Sequence, residues 1–163
     1  MPTLKLSAGI ENLRSFVRFV SDCAQSRGFS EKRTREIEIA VEEALVNIFH
    51  YAYPQRQGDV TITCKMGENQ TLVIEIEDTG IFFDLTSIPE PDLCSDVQHR
   101  KIGGLGIFLI RKMVNELHYR RESGRNILIM IIYPELHAAM PFKNQAGARL
   151  RHKEIKAPEN ANE

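Results

Sequence analysis

Six consecutive apolar residues, Ile127-Leu128-Ile129-Met130-Ile131-Ile132, restrict the possible folds of this chain more than any other feature. A run of that kind suits a central strand covered on at least one face. Such a strand needs partners, and the sequence supplies them. Val60, Ile62, Cys64 and Met66 alternate with Thr61, Thr63 and Lys65. A second alternating segment runs from about Thr71 to Glu77, with Leu72, Ile74 and Ile76 on one face. Gly67-Glu68-Asn69-Gln70 between them is a turn, so the pair reads as a half-exposed antiparallel hairpin. Leu4 and Leu6 mark a short first strand. Two more strands are expected at Leu117–Arg121 and Asn126–Tyr133.

Three helices are expected beside this sheet. Ile10, Leu13, Phe16, Val17 and Val20 recur at spacings of three and four, and Gly28 follows as a stop. Ser30 is placed to cap a second helix whose apolar stripe is Ile37, Val41, Ala44, Leu45 and Ile48, with Pro54 as its end. A third helix spans about Leu105 to Asn115. Between Leu85 and Ile102 there is no periodicity, and Pro89 and Pro91 break the chain. Loops longer than about 12–15 residues are uncommon in compact domains and are often lids or disordered segments. The order strand, two helices, two strands, loop, helix, two strands predicts an α+β, two-layer sandwich with a mixed, mostly antiparallel sheet.

Composition sets the remaining bounds. With 163 residues, 42% of them apolar, one domain with a sizeable core is expected. We place it at residues 1–137, with residues 138–163 a polar and partly disordered tail. The net charge of −1 offers no electrostatic ground for nucleic-acid binding. Cys23, Cys64 and Cys94 are far apart and form no Cys-x-x-Cys pair, which reads as reduced thiols. No apolar run reaches the ~18–20 residues of a membrane span, and the first residues lack a signal peptide's apolar core. A cytoplasmic protein with no membrane association is expected.

Three clusters carry candidate chemistry. Glu43 and Asn47 are four residues apart, one helical turn, and lie off the apolar stripe. A carboxylate and an amide oxygen suit a hard cation such as Mg²⁺, and the carboxylate could act as a general base. On spacing alone, an ordinary solvated helix face is the better account of them. Asp78-Thr79-Gly80-Ile81-Phe82-Phe83-Asp84 follows a strand. Ionised Asp78 only accepts hydrogen bonds, so it could hold an exocyclic amine such as adenine's. Gly80 permits a turn or a close approach. Phe82 and Phe83 are either a cover for a flat ring or core residues. Gly103-Gly104-Leu105-Gly106 precedes a helix, where free N–H groups favour anions, and His99, Arg100 and Lys101 add positive charge. The plainer alternatives are a turn for the second cluster and a hinge for the third.

In this order the three clusters resemble the ATPase fold of gyrase, Hsp90, histidine kinases and MutL, known as the Bergerat or GHKL fold. Within it the chain is most similar to the anti-sigma-factor serine kinases of bacterial partner switching, the RsbW and SpoIIAB type. Glu43-Ala44-Leu45-Val46-Asn47 matches the N box, Asp78 to Asp84 the first glycine box, and Gly103 to Ile107 the second. Gly124-Arg125-Asn126 lies where a last box is expected. The resemblance covers roughly Leu4 to Tyr133. It departs in two places. Tyr51 stands where small kinases of this type often carry histidine, and Ile127, Leu128 and Ile129 fill a stretch where some relatives place threonine.

The resemblance implies ATP (or ADP) as ligand, with Asn47 holding Mg²⁺ and Glu43 acting on the attacking hydroxyl. Asp78 would recognise adenine beside Gly80 and Phe83. Gly103, Gly104, Leu105 and Gly106 would line the triphosphate, with Arg100 or Lys101 reaching the γ-phosphate. It also implies a STAS-domain antagonist as phosphoacceptor, a sigma factor as the sequestered partner, and dimerisation through the first strand and helix. A nucleotide-gated switch without phosphotransfer is the alternative.

Overall fold

The computed structural model describes residues 1–54, 57–89 and 105–134. Its elements are β1 (Thr3–Ser7), α1 (Ile10–Gln25), α2 (Glu31–Tyr51), β2 (Asp59–Met66), β3 (Leu72–Asp78), α3 (Leu105–Met113), β4 (Glu116–Glu122) and β5 (Arg125–Ile132). Short 3₁₀ turns lie at Glu68–Gln70 and Leu85–Ser87. The expected boundary at 137/138 falls outside the described residues.

The strands form a five-stranded sheet in the order β1-β2-β3-β5-β4. All four pairings are antiparallel, so the parallel component of a mixed sheet is absent among the described residues. Two tight connections explain much of this. β2 and β3 are joined across Gly67–Thr71, and β4 and β5 across Ser123-Gly124. The first connection uses left-handed backbone at Asn69 and Gln70, and the second at Ser123 (φ 49°) and Gly124 (φ 80°). The apolar run forms β5, an interior strand between β3 and β4, as its composition requires.

Cross-strand register sorts the side chains by face. Leu4, Ile62, Ile76, Leu128 and Tyr119 form one row on the helix side, and Cys64, Ile74, Met130 and Leu117 another. α1 and α2 supply Phe16, Val20, Ile37, Val41, Ala44, Leu45 and Ile48 to the same core. Each fully buried Val, Leu, Ile or Phe among them contributes roughly 1.5–3 kcal/mol. The other sheet face carries Thr61, Thr63, Glu75 and Glu77, with Ile129 and Ile131 half-buried among them.

One stripe residue behaves differently from expectation. Ile10 is 67% exposed. It is the first residue of α1, and core contacts begin a turn later with Leu13 and Phe16 and extend to Cys23 and Ala24. Ser30 caps α2 as expected, accepting from the Arg33 backbone N–H at 3.1 Å. Arg33 is buried and ties α2 to the end of α3. It donates to the Met113 carbonyl and to Asn115 Oδ1, each at 2.8 Å, and to Glu36 at 2.7 Å. Cys23 and Cys64 are both buried and unbridged. Burial, with Cys23 beside it, pushes the Cys64 thiol up to about 12, so it is inert as a nucleophile. Among the described residues no helix is long and apolar enough to cross a membrane.

Candidate functional site

α2 runs past two clusters of candidate residues. In its middle, Glu43 and Asn47 are half-buried and face the first turn of α3. The Asn47 amide nitrogen donates to the Glu43 carbonyl at 2.6 Å. That bond occupies the N–H₂ end of the amide, so Oδ1 is the end left to accept a donor or a cation. Gly106 sits directly against the pair. A Cβ there would overlap Glu43 Oε2 and lie 3.4 Å from Asn47 Nδ2. Leu105, before it, is exposed. Arg100, Lys101, Gly103 and Gly104 lie outside the described residues.

At its C-terminal end α2 meets the second cluster. Asp78 ends β3 and is only 2% exposed. Its Oδ1 accepts from the Gly80 backbone N–H and from Asn126 Nδ2, both at 2.8 Å. No described residue donates to Oδ2. Asp78 lines a small apolar pocket with Ile48, Phe83, Leu85, Tyr119, Asn126 and Leu128. Burial pushes the Asp78 carboxyl above its ordinary range. The bonds from Asn126 and Gly80 and the charge of Arg121 pull it down, while Glu77 raises it. The turn after Asp78 is pinned to the end of α2. The Ile81 N–H donates to the Ala52 carbonyl at 2.9 Å, and the Thr79 N–H to the Tyr53 hydroxyl at 2.9 Å.

The two phenylalanines separate. Phe83 is half-buried, stacked on Tyr51 with ring centroids 5.1 Å apart, and lines the pocket. Phe82 is 64% exposed, so for it the core reading is wrong. It sits edge-on to Tyr119 at 5.9 Å, with the Arg121 guanidinium 5.9 Å from its ring. Beyond it, Asp84 Oδ1 caps the 3₁₀ turn by accepting from the Thr86 N–H at 2.9 Å. Arg111 of α3 donates to the Thr86 and Ile88 carbonyls at 2.8 and 3.0 Å. Residues 90–104, most of the expected lid, lie outside the described residues.

Gly80 and Gly106 are constrained by different kinds of neighbour, and their alanine variants are expected to fail differently. At Gly80 a Cβ would overlap the Ala52 carbonyl oxygen and lie 2.7 Å from Ala52 Cβ. Those atoms belong to a packed helix end, so G80A is expected to lose about 1–3 kcal/mol and several degrees of Tm. At Gly106 the obstructed atom is the tip of a flexible side chain. G106A is expected to melt within about 2 °C of the parent while displacing the Glu43 carboxylate and lowering activity. Thermal melts beside activity assays check both. A large Tm loss in G106A would contradict the second expectation.

A cation fits the first cluster only in a particular way. Among the described residues no three His, Cys, Asp or Glu side chains converge on a metal position. One amide oxygen at Asn47, beside the Glu43 carboxylate, suits Mg²⁺, which keeps several waters and takes most other ligands from phosphates. The second cluster offers a small, largely apolar pocket with one carboxylate oxygen to which no described residue donates. The unengaged oxygen suits a donor such as an exocyclic amine.

The sequence profile of the histidine kinase-like ATPase domain matches residues 6–132. The chain belongs to the histidine kinase-like ATPase domain family. Membership of that family implies use of ATP. The ATPase domain is similar to a serine-protein kinase RsbW of Bacillus thuringiensis, with 26% identity over 130 residues, 77% of this chain and 81% of that protein. An RsbW of Bacillus cereus is 27% identical over the same shares. Among solved structures, the RsbU and RsbW domains of a Mycobacterium tuberculosis protein align with a TM-score of 0.56 and 13% identity, over 82% of this chain and 33% of that one. A blue-light activated histidine kinase of Erythrobacter litoralis aligns at 0.52 and 18%, over 78% and 43%. This ATPase domain thus spans a third and under a half of those two solved chains, with which it shares the fold.

Asn126 was not among the candidate site residues. It is 3% exposed and pairs directly across from Asp78. A signal was available. Leu72, Ile74, Ile76 and Asp78 are successive inward positions of β3, and Ile132, Met130, Leu128 and Asn126 are those of β5. A polar residue where the alternation demands an apolar one marks a site or a hydrogen-bonded exception.

Proposed function

We propose that this protein is an ATP-dependent serine/threonine protein kinase and anti-sigma factor, acting on a STAS-domain antagonist in partner-switching control of transcription. The carrying observation is that one helix, α2, bears both halves of the site. It presents Glu43 and Asn47 to Gly106, and Ile48 to the Asp78 pocket. The RsbW relatives, named as serine-protein kinases, support the choice of acceptor.

In this reading Asp78 Oδ2 accepts from the adenine amine while Phe83, Leu85 and Leu128 flank the ring. Asn47 Oδ1 is a ligand of Mg²⁺, which neutralises phosphate charge when bound. Leu105 and Gly106, with Gly103 and Gly104, line the triphosphate, and Arg100 or Lys101 meets the γ-phosphate. Glu43 takes the proton from a serine or threonine hydroxyl. The hydroxyl oxygen bonds to the γ-phosphorus as the bond to the β,γ-bridging oxygen breaks, and ADP leaves. Phosphoryl transfer depends mainly on positioning and charge neutralisation, so few protein groups suffice. The unphosphorylated antagonist competes with a sigma factor for this protein, which works in the cytoplasm as a homodimer. Residues 1–137 form the ATPase domain, followed by a polar tail.

Tyr51 favours a second reading. Its ring is stacked on Phe83, and it brings no positive charge to the end of α2. A nucleotide-gated switch that sequesters a partner without transferring phosphate would need none. Incubation with γ-labelled ATP, Mg²⁺ and a STAS-domain antagonist separates the two. Label on the antagonist is the expected result. Tight ATP binding with no label selects the switch. A ligand that binds only the folded state must stabilise it, so ATP–Mg²⁺ at 100 times its Kd is expected to add about 2.7 kcal/mol. No rise in Tm would overturn both readings.

A further inference from the structure

The helix-facing side of the sheet is apolar until its last row. There, register aligns Leu6, Val60, Asp78, Asn126 and Arg121 across all five strands. The buried Asn126 amide has every bond engaged. Its Nδ2 donates to Asp78 Oδ1 and to the Ile81 carbonyl, both at 2.8 Å. Its Oδ1 accepts from the Tyr119 hydroxyl at 2.8 Å and from Arg121 Nη1 at 2.5 Å.

An amide in such a place has two orientations, related by exchanging its oxygen and nitrogen. The Tyr119 hydroxyl could serve either, since it both donates and accepts. Arg121 cannot, because a guanidinium only donates. A flipped Asn126 would set N–H against N–H at Arg121 and oxygen against oxygen at Asp78 and Ile81. Arg121 is itself held over the Phe82 ring, whose edge packs on Tyr119.

We propose that Arg121 is a positioning residue for base recognition. By donating to the Asn126 carbonyl it completes, with the Ile81 carbonyl at the other end, the hold on the amide that keeps Nδ2 on Asp78 Oδ1, and Oδ2 is left as one outward acceptor for an exocyclic amine. This rests on Asp78 being the acceptor for the base. It goes further in making discrimination between amino- and oxo-purines depend on a surface arginine two strands away. The charge of Arg121 also counts among the influences that hold the Asp78 carboxyl down against burial. Without it, the acceptor would be both less ionised and less fixed.

The test compares Mg²⁺ complexes of ATP and inosine triphosphate, which carries an oxygen in place of the amine, by calorimetric titration. Arg121 is exposed, so R121M is expected to fold, and a thermal melt verifies this. In R121M the ATP Kd is expected to rise about tenfold and the inosine triphosphate Kd to change less than about twofold, so that the preference for the amine collapses. R121K keeps a donor and a charge and is expected to restore most of the preference. An unchanged ATP-to-inosine-triphosphate ratio in R121M would overturn the proposal, as would equal weakening of both ligands, the mark of a merely structural role. D78N separates the two levels of inference. If D78N abolishes the preference while R121M keeps it, only the role of Arg121 fails. If D78N keeps it, the base-acceptor reading fails as well.

Discussion

Replacing Glu43 with glutamine is expected to lower phosphoryl transfer to the antagonist by at least about a hundredfold while leaving the Kd for ATP–Mg²⁺ within about threefold. The separation follows from which atoms each function uses. Asn47 is oriented by its bond to the Glu43 main-chain carbonyl, which the substitution does not touch. Its Oδ1 therefore stays available to the cation. Gln also keeps the length and branching that fit against Gly106. What it lacks is the ability to accept a proton, and general-base catalysis typically contributes 10²–10⁴-fold. Single-turnover transfer of γ-label, beside calorimetric titration of ATP, measures the two quantities separately. Transfer at the parental rate would remove Glu43 from the chemistry. A collapse of ATP binding would make it a binding residue instead.

The Asp78→Asn variant is expected to bind ATP roughly 10- to 150-fold more weakly, the equivalent of the ~1.5–3 kcal/mol of a hydrogen bond to a charged group. The carboxylate is the one side chain here that only accepts. Asparagine must place its N–H₂ somewhere. Turned inward, it opposes the Gly80 N–H and Asn126 Nδ2. Turned outward, it opposes the base amine. In the free protein the outward orientation is comfortable, so the variant should fold.

Its stability should also not fall. The folded-state pKa of Asp78 is raised, with burial the largest cause. A carboxyl with a raised pKa contributes its stability below its ordinary value of 3.8 and loses that contribution as pH rises through the folded value. At neutral pH the buried charge is thus a net cost, which D78N removes. Free D78N is expected to melt at or above the parent's Tm at pH 7, with the difference shrinking as pH falls toward 3.8. Melting curves across pH, with and without ATP–Mg²⁺, check both halves. A strongly destabilised free variant would mean that Asp78 is a structural residue. Stability gained with binding lost would mean that a buried charge is kept here for its ligand.

Several features were legible because they are local. Period-two alternation in β2 and β3, and the stripe at Ile37, Val41, Ala44, Leu45 and Ile48, record which side of each element meets the core. The Ser30 cap and the turn at residues 67–70 are likewise properties of a few neighbouring positions. Read alone, the sequence determined the element types, most of the core-facing set and the three clusters with their resemblance to a known ATPase fold.

Tertiary structure decided what the clusters do to one another. That Glu43 and Asn47 are half-buried against a neighbour depends on α3 arriving with Gly106 beside them, across a sequence separation that no periodicity spans. Arg33 and Arg111 fix that arrival through bonds to distant backbone carbonyls. Asn126 met Asp78 only because β5 pairs with β3 in one register among several that the run Ile127–Ile132 would permit. A uniformly apolar strand specifies burial but not alignment. A shift of two residues preserves its inward face and would set Leu128 opposite Asp78, leaving a buried carboxylate with one fewer donor. Arg121 stands beside Asn126 through a separate pairing, the β4–β5 hairpin, so two registers together assemble the cluster around Asp78.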